Sequence, residues 1–292
     1  MTQRSTPTPT RGFTLIEVLV SMVILAIIGA AMTRLLMTES RLFDLNLAQR
    51  DARSVARSSM NVLFSDLRMA NDGVSAPGTV LLASPETLQV RLPYAFGMVC
   101  GIGSSTTVSM LAADSVVRAT AKYAGYAWRS RLTGQYTYIP VESPANVPIA
   151  STAPTTCTTT ASLRTDTLRN RSWAPLDLKP VAVAQPGAPV FLYQEVMYWF
   201  GASSAYPGRV GLWRQATGGG AEELVAPFDA SARFKFYQRS TDLPSLTPPT
   251  PLDSLVGVAI VLNGASVSNM PGRQPVKTAM ETSVFFRNRK DP

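Results

Sequence analysis

Phe13 to Met32 is a run of twenty residues with Glu17 as its only charged side chain. At a rise of 1.5 Å per residue such a run makes about 30 Å of helix, the thickness of a bilayer's hydrocarbon core. Nothing else in the chain limits the fold as strongly. No second apolar run of this length follows, so the sequence predicts a single membrane pass. Arg4 and Arg11 precede the run with no acidic residue before Glu17. Positive charge there predicts a cytoplasmic N-terminus and a C-terminal part on the far side of the membrane.

A carboxylate inside an apolar span costs about 2.5–3.5 kcal/mol on insertion scales and marks a function by default. Two plain readings compete: the h-region of a removed secretory signal, and a simple single-pass anchor. The run is long for an h-region, and neither reading gives Glu17 a task. In a bundle of identical helices, by contrast, a free amino terminus on one chain can meet the carboxylate of the next. That pairing satisfies both charges and sets the axial stagger between subunits.

The junction Gly12-Phe13-Thr14-Leu15-Ile16-Glu17 resembles the type III signal of type IV prepilins and pseudopilins. There a short basic leader ends in Gly, and Phe-Thr-Leu-Ile-Glu opens an unbroken apolar helix. The resemblance implies that residues 1–12 are a leader cut after Gly12 by a prepilin peptidase. It implies N-methylation of Phe13 and an assembly role for Glu17. The apolar run would then stay in the mature protein.

Beyond Met32 the helix is predicted to continue. Leu45, Ala48, Ala52, Val55, Ser59, Leu63, Leu67 and Ala70 recur at spacings of three and four, forming one apolar stripe. Charged residues occupy the other faces, and no proline falls between Phe13 and Asn71. Asn71-Asp72-Gly73 reads as the stop. Residues 13–73 are thus one helical unit, with 13–32 transmembrane. Many pilins carry a proline in the middle of this helix, and this chain departs from that pattern.

Residues 74–292 read as a β-rich globular domain. Leu88–Leu92, Thr106–Met110, Val116–Tyr123, Val190–Phe200, Arg209–Gln215, Glu222–Val225, Arg233–Tyr237, Ser254–Leu262 and Thr282–Arg287 are strand candidates. Gly218-Gly219-Gly220 marks a turn. Between them, about 125–189 is punctuated by Pro140, Pro144, Pro148 and Pro154 and reads as an irregular insertion. Short connections between strands predict an antiparallel sheet. The fold class is therefore α+β: a long transmembrane-plus-amphipathic helix packed on an antiparallel β-sheet domain. The run of YWF, GLWRQ, EELVAPFDASARFKFY, LVGVAIVLNG and SVFFRNR resembles, more loosely, PilW-type minor pilins and GspJ-type minor pseudopilins, as does VLFSDLRMAND.

The chain has no histidine, which excludes Ser-His-Asp and Cys-His catalysis and His-ligated metals. It has neither GxxxxGK[ST] nor GxGxxG. Glu222-Glu223 would point to opposite faces of a strand, a poor arrangement for acid–base work. No cofactor is expected, and the chain reads as a non-enzyme; a membrane-anchored periplasmic enzyme is the remote alternative. Net charge is +8, but the arginines are scattered, which argues against a nucleic-acid partner. Trp128, Trp173, Trp199 and Trp213 are candidates for a sugar platform or for ordinary sheet packing. Two cysteines in an exported domain predict a Cys100–Cys157 bond. It would enclose about 57 residues, worth about 4 kcal/mol in the chain-entropy treatment.

The resemblance implies a minor pilin or pseudopilin that primes, caps or tips a type IV pilus or related filament. The type II secretion pseudopilus is the alternative within that class, and a pilus-tip adhesin or DNA-binding module the alternative outside it. Its partners would be prepilin peptidase, other minor and major pilins through the N-terminal helix, and the inner-membrane assembly platform. It would sit in the inner membrane with its C-terminal domain periplasmic, then in the filament.

Overall fold

A computed structural model describes residues 14–70, 78–101, 107–110, 122–129, 136–146, 172–175, 188–239, 241–266 and 276–286. Helix α1 runs from Leu15 to Met69, 55 residues, or about 82 Å. It passes through Gly29 without a break, as the lack of proline predicts. Ala70 is extended and its N–H donates back to the Leu67 carbonyl, closing the last turn. The expected stop at Asn71–Gly73 lies outside the described residues.

The two halves of α1 live in different surroundings. Every residue from Thr14 to Asp44 is exposed, including Leu15, Ile16, Leu25 and Ile27. The second half buries Ala48, Ala52, Ala56, Ser59, Leu63, Leu67 and Ala70, which is the predicted stripe with Ala56 added. Leu45 and Val55 are half-buried at its border.

That stripe lies on an antiparallel sheet of twelve strands among the described residues. In chain order they are β1 (Val80–Ala83), β2 (Thr87–Gly101), β3 (Thr107–Met110), β4 (Lys122–Arg129), β5 (Tyr136–Asn146) and β6 (Ser172–Pro175). There follow β7 (Pro189–Ala202), β8 (Val210–Ala216), β9 (Glu222–Phe228), β10 (Arg233–Gln238), β11 (Leu255–Ala265) and β12 (Lys277–Phe285). The main path is β10-β11-β9-β8-β7-β2-β3-β6. Strands β2 and β7 are its spine, paired from Thr87–Trp199 to Met98–Pro189. One edge of β7 serves two neighbours in turn: Val190–Tyr193 pairs with β4, and Val196–Ala202 with β8. Where β9 meets β11 they share only the Phe228–Gly264 pair, and bulges interrupt β8–β9, so the sheet curls around the helix.

The period-2 alternation decides which face meets α1. Val196, Tyr198 and Phe200 of β7, Leu88, Val90 and Leu92 of β2, Phe234 and Phe236 of β10, and Val258, Ile260 and Leu262 of β11 share one buried cluster with Leu63 and Leu67 of α1. At the β11 contact the two backbones nearly touch. A Cβ on Gly264 would overlap the Ala52 carbonyl oxygen, with Ala52 C at 3.1 Å and its Cα at 3.5 Å. The small residues Ala48, Ala52 and Ala56 on the helix make that approach possible.

Several expected boundaries shift. The strand predicted at Val116–Tyr123 is observed at Lys122–Arg129; residues 116–121 lie outside the described set. The stretch 125–189, read as an irregular insertion, carries the rest of β4, all of β5 and β6, and the start of β7 in its described parts. The prolines misled because of where these strands sit. Among the described residues β5 pairs only with β4 and β6 only with β3, so Pro140, Pro144 and Pro175 lie on edge strands. An edge strand tolerates the missing N–H on its open side. The turn at Gly218 is as predicted, with φ +69° and the Gly219 N–H on the Ala216 carbonyl.

Candidate assembly site on the N-terminal helix

The helix opens on a capping box. Thr14 is extended, and its hydroxyl accepts from the Glu17 N–H at 3.3 Å. In return the Glu17 carboxylate accepts from the Thr14 N–H at 3.2 Å and lies 3.3 Å from its hydroxyl. Two of the donors that a helix start leaves unpaired are thereby satisfied, and the acidic group sits at the positive end of the helix dipole. The sequence reading gave Glu17 only an intermolecular task. The Thr-x-x-Glu spacing was the available signal for the local one. Gly12 and Phe13, the expected scissile pair, lie outside the described residues. The helix begins two residues after Phe13.

Further along the apolar half the polar side chains turn inward on the helix itself. Ser21 Oγ donates to the Glu17 carbonyl at 2.7 Å, and Thr33 Oγ1 to the Gly29 carbonyl at 2.8 Å. Neither hydroxyl then needs a partner from the surroundings, which suits a segment that faces hydrocarbon. An 18-residue window of α1 has a mean hydropathy of 2.6 with none of it buried, so this helix is long and apolar enough to cross a membrane.

The other end of the helix is fastened to the sheet by charge. The Tyr198 hydroxyl donates to Asp66 Oδ2 in a short hydrogen bond. Arg214 Nε stands 3.8 Å from the same oxygen, and its Nη1 is 2.9 Å from Glu222. Burial and the Asp66 carboxylate push the Tyr198 hydroxyl far above its ordinary range, so it stays a donor. Burial works against the Arg214 charge, but Tyr198, Glu222 and Asp66 hold the proton on. The apolar half thus projects from a domain that grips the C-terminal half.

Glu222 turns to Arg214, while Glu223 turns to the 203–205 loop. There it accepts from the Ser204 N–H at 3.0 Å and the Ala205 N–H at 3.3 Å. Trp199 and Trp213 face each other across β7–β8, stacked at 6.1 Å and 12°. Trp128 is buried in a separate cluster with Tyr126 and Leu192, so it does not share a platform with the Trp199–Trp213 pair. The side chain of Trp173 lies outside the described set. Cys100 belongs to β2, but Cys157 lies outside the described residues, and with it the expected bond.

Residues 8–33 match the family model of the prokaryotic N-terminal methylation motif. The chain carries a type IV prepilin-like signal. The matched span contains the Gly12–Phe13 junction, the Thr14–Glu17 capping box and the exposed apolar start of α1. The signal implies processing by prepilin peptidase and supports a protein of the type IV pilin or pseudopilin family. A prepilin-like signal on a free apolar helix is also consistent with membrane anchoring. No curated protein and no solved structure matches the chain.

Proposed function

We propose that this chain is a minor pilin or minor pseudopilin that primes, caps or tips a type IV pilus or a related filament, and acts by assembly rather than catalysis. The observation that carries the reading is the prepilin-like signal at 8–33 on a helix half that the β domain leaves bare. Prepilin peptidase cuts after Gly12 and methylates Phe13. The anchored form spans the inner membrane with its N-terminus cytoplasmic and its domain periplasmic. Inside the filament the bare half packs against the helices of other pilins, and Glu17 pairs with the Phe13 amine of a neighbour. The type II secretion pseudopilus is the second reading within the class, since the looser resemblance of the C-terminal strands extends to PilW-type pilins and GspJ-type pseudopilins alike.

Glu17→Ala tests this directly. For a plain anchor the change is neutral or improves insertion, because it removes a costly carboxylate. For a filament subunit it strands the neighbour's amine in an apolar bundle. The expected result is a variant that is inserted and cut at Gly12–Phe13, seen by mass spectrometry of the N-terminus, yet missing from sheared filaments. Full complementation, or an uncut N-terminus in peptidase-positive cells, would overturn the reading.

A further inference from the structure

The exposed side of α1 above the apolar half is not uniformly charged. Arg50, Arg53 and Arg57 stand at i, i+3 and i+7 and share one flank of the helix. Asp44 and Asp51, also seven residues apart, share another, about 120° away around the axis. Between the flanks lies an outward strip with Phe43 and Leu47, both exposed. All five charged side chains are exposed, and none is in an ion pair among the described residues. Some charges elsewhere on the domain are paired: Asp66 with Arg214, Lys235 with Glu281, Lys277 with Asp229. Three arginines at i, i+3 and i+7 repel one another within the helix, so the basic flank is destabilising unless something acidic meets it.

The acidic partner is present on the same chain, on the flank the arginines cannot reach. Moving one helix by six residues along a parallel copy sets Asp44 level with Arg50 and Asp51 level with Arg57 at once. That shift is about 9 Å. On the membrane-anchored reading proposed above, every copy's N-terminal half enters the same membrane, which imposes the parallel orientation. A contact in which one flank meets a different flank is heterologous, so it sets two copies side by side in parallel with an axial offset rather than closing a two-fold dimer.

We propose that the basic flank Arg50–Arg53–Arg57 docks the acidic flank Asp44–Asp51 of a second copy of this chain, parallel and offset by six residues. The inference rests on the filament reading above and names the partner of the helix just beyond its apolar half. Two differently tagged copies of the full processed chain, co-expressed and extracted in mild detergent, test it by capture through one tag. The wild type captures its second copy at low salt and loses it as salt is raised. Arg50→Glu/Arg57→Glu paired with itself loses capture at least tenfold, as does Asp44→Arg/Asp51→Arg paired with itself. Mixing the two variants restores capture, because each offers the charge the other lacks; a misfolded variant could not be rescued this way. No capture by the wild type, no loss in the variants, or loss without restoration would each overturn the proposal. The Glu17→Ala assay separates the two readings. If flank pairing fails while Glu17→Ala still blocks assembly, the filament reading stands alone. If pairing holds while Glu17→Ala complements fully, the pairing stands and the filament reading falls.

Discussion

Gly264→Ala is the smallest change that should prise the helix from the sheet. The added methyl would overlap the Ala52 carbonyl oxygen and meet Ala52 C at 3.1 Å. Both atoms are backbone, on a helix held on either side by Ala48 and Ala56, so no rotamer change relieves the clash. Either β11 or α1 must move, and the packing of Leu63 and Leu67 on Ile260 and Leu262 loosens with it. Overpacking of this kind costs about 1–3 kcal/mol, and the backbone contact places Gly264 at the upper end. For a domain of this size that is a fall in Tm of roughly 4–10 °C. Gly211→Ala is the internal control. Its Cβ would also overlap a neighbour, but that neighbour is the end of the Glu223 side chain, which can move at the expense of its hydrogen bonds to the 203–205 loop and without any backbone shift. Its expected loss is about 1 kcal/mol or less. Ala52→Gly should not rescue Gly264→Ala, because the colliding atom is the Ala52 carbonyl oxygen and not its methyl. Thermal unfolding of the detergent-solubilised chain reads all three. A Gly264→Ala variant within 0.5 °C of wild type, or one rescued by Ala52→Gly, would refute the close-approach argument.

Three further outcomes follow from the same contacts. Lys277 Nζ lies 2.6 Å from Asp229 and, with Ser231, holds that carboxyl down to about 2 from an ordinary 3.8. A depressed carboxyl stabilises fully above its unfolded pKa and loses that stability as pH falls toward its folded one. About 1–2 kcal/mol, discounted for the half-exposed lysine, should therefore disappear between pH 4 and pH 2, and Lys277→Met should flatten that slope in acid titration of Tm. Tyr198→Phe removes the buried hydroxyl that binds Asp66 and should cost about 1.5–3 kcal/mol in urea unfolding; Asp66→Asn, which keeps an acceptor, should cost less. Peptide mapping without reductant should find Cys100 linked to Cys157, and two free thiols in the membrane-extracted protein would reject the bond.

What the sequence disclosed depended on how local the physics was. The helix was legible from end to end because its signals are local: no proline, an apolar run, then a stripe at spacings of three and four. The stripe needed only Ala56 added. Strands β7 to β11 were legible because alternation such as Phe234 and Phe236, or Val258 and Ile260, repeats within a few residues. Strand β5 was hidden because proline was read without knowing the strand's position. Pro140 breaks a central strand and is harmless on an edge, and which strands are edges is a property of the whole sheet. The Gly264–Ala52 contact and the Asp66–Tyr198–Arg214 link join residues far apart in the chain, with no motif to announce them. Their partners meet only because the sheet curls around α1.

The local role of Glu17 in the capping box is compatible with the intermolecular role proposed for it. A carboxylate entering hydrocarbon alone faces a cost of about 2.5–3.5 kcal/mol. The capping box gives it two partners from Thr14 and the positive end of the helix dipole, so much of its need for water is met before any neighbour arrives. The same hydrogen bonds draw on one oxygen, Oε2, and leave Oε1 free of any hydrogen bond among the described residues. On the filament reading proposed above, that second oxygen is the acceptor an incoming chain's amine would meet. The cap also fixes where that acceptor sits, one turn into the helix and near the signal's cleavage junction. Removing Thr14's hydroxyl and removing Glu17's carboxylate are therefore different experiments: the first loosens the helix start, and only the second deletes the group that a neighbour would meet.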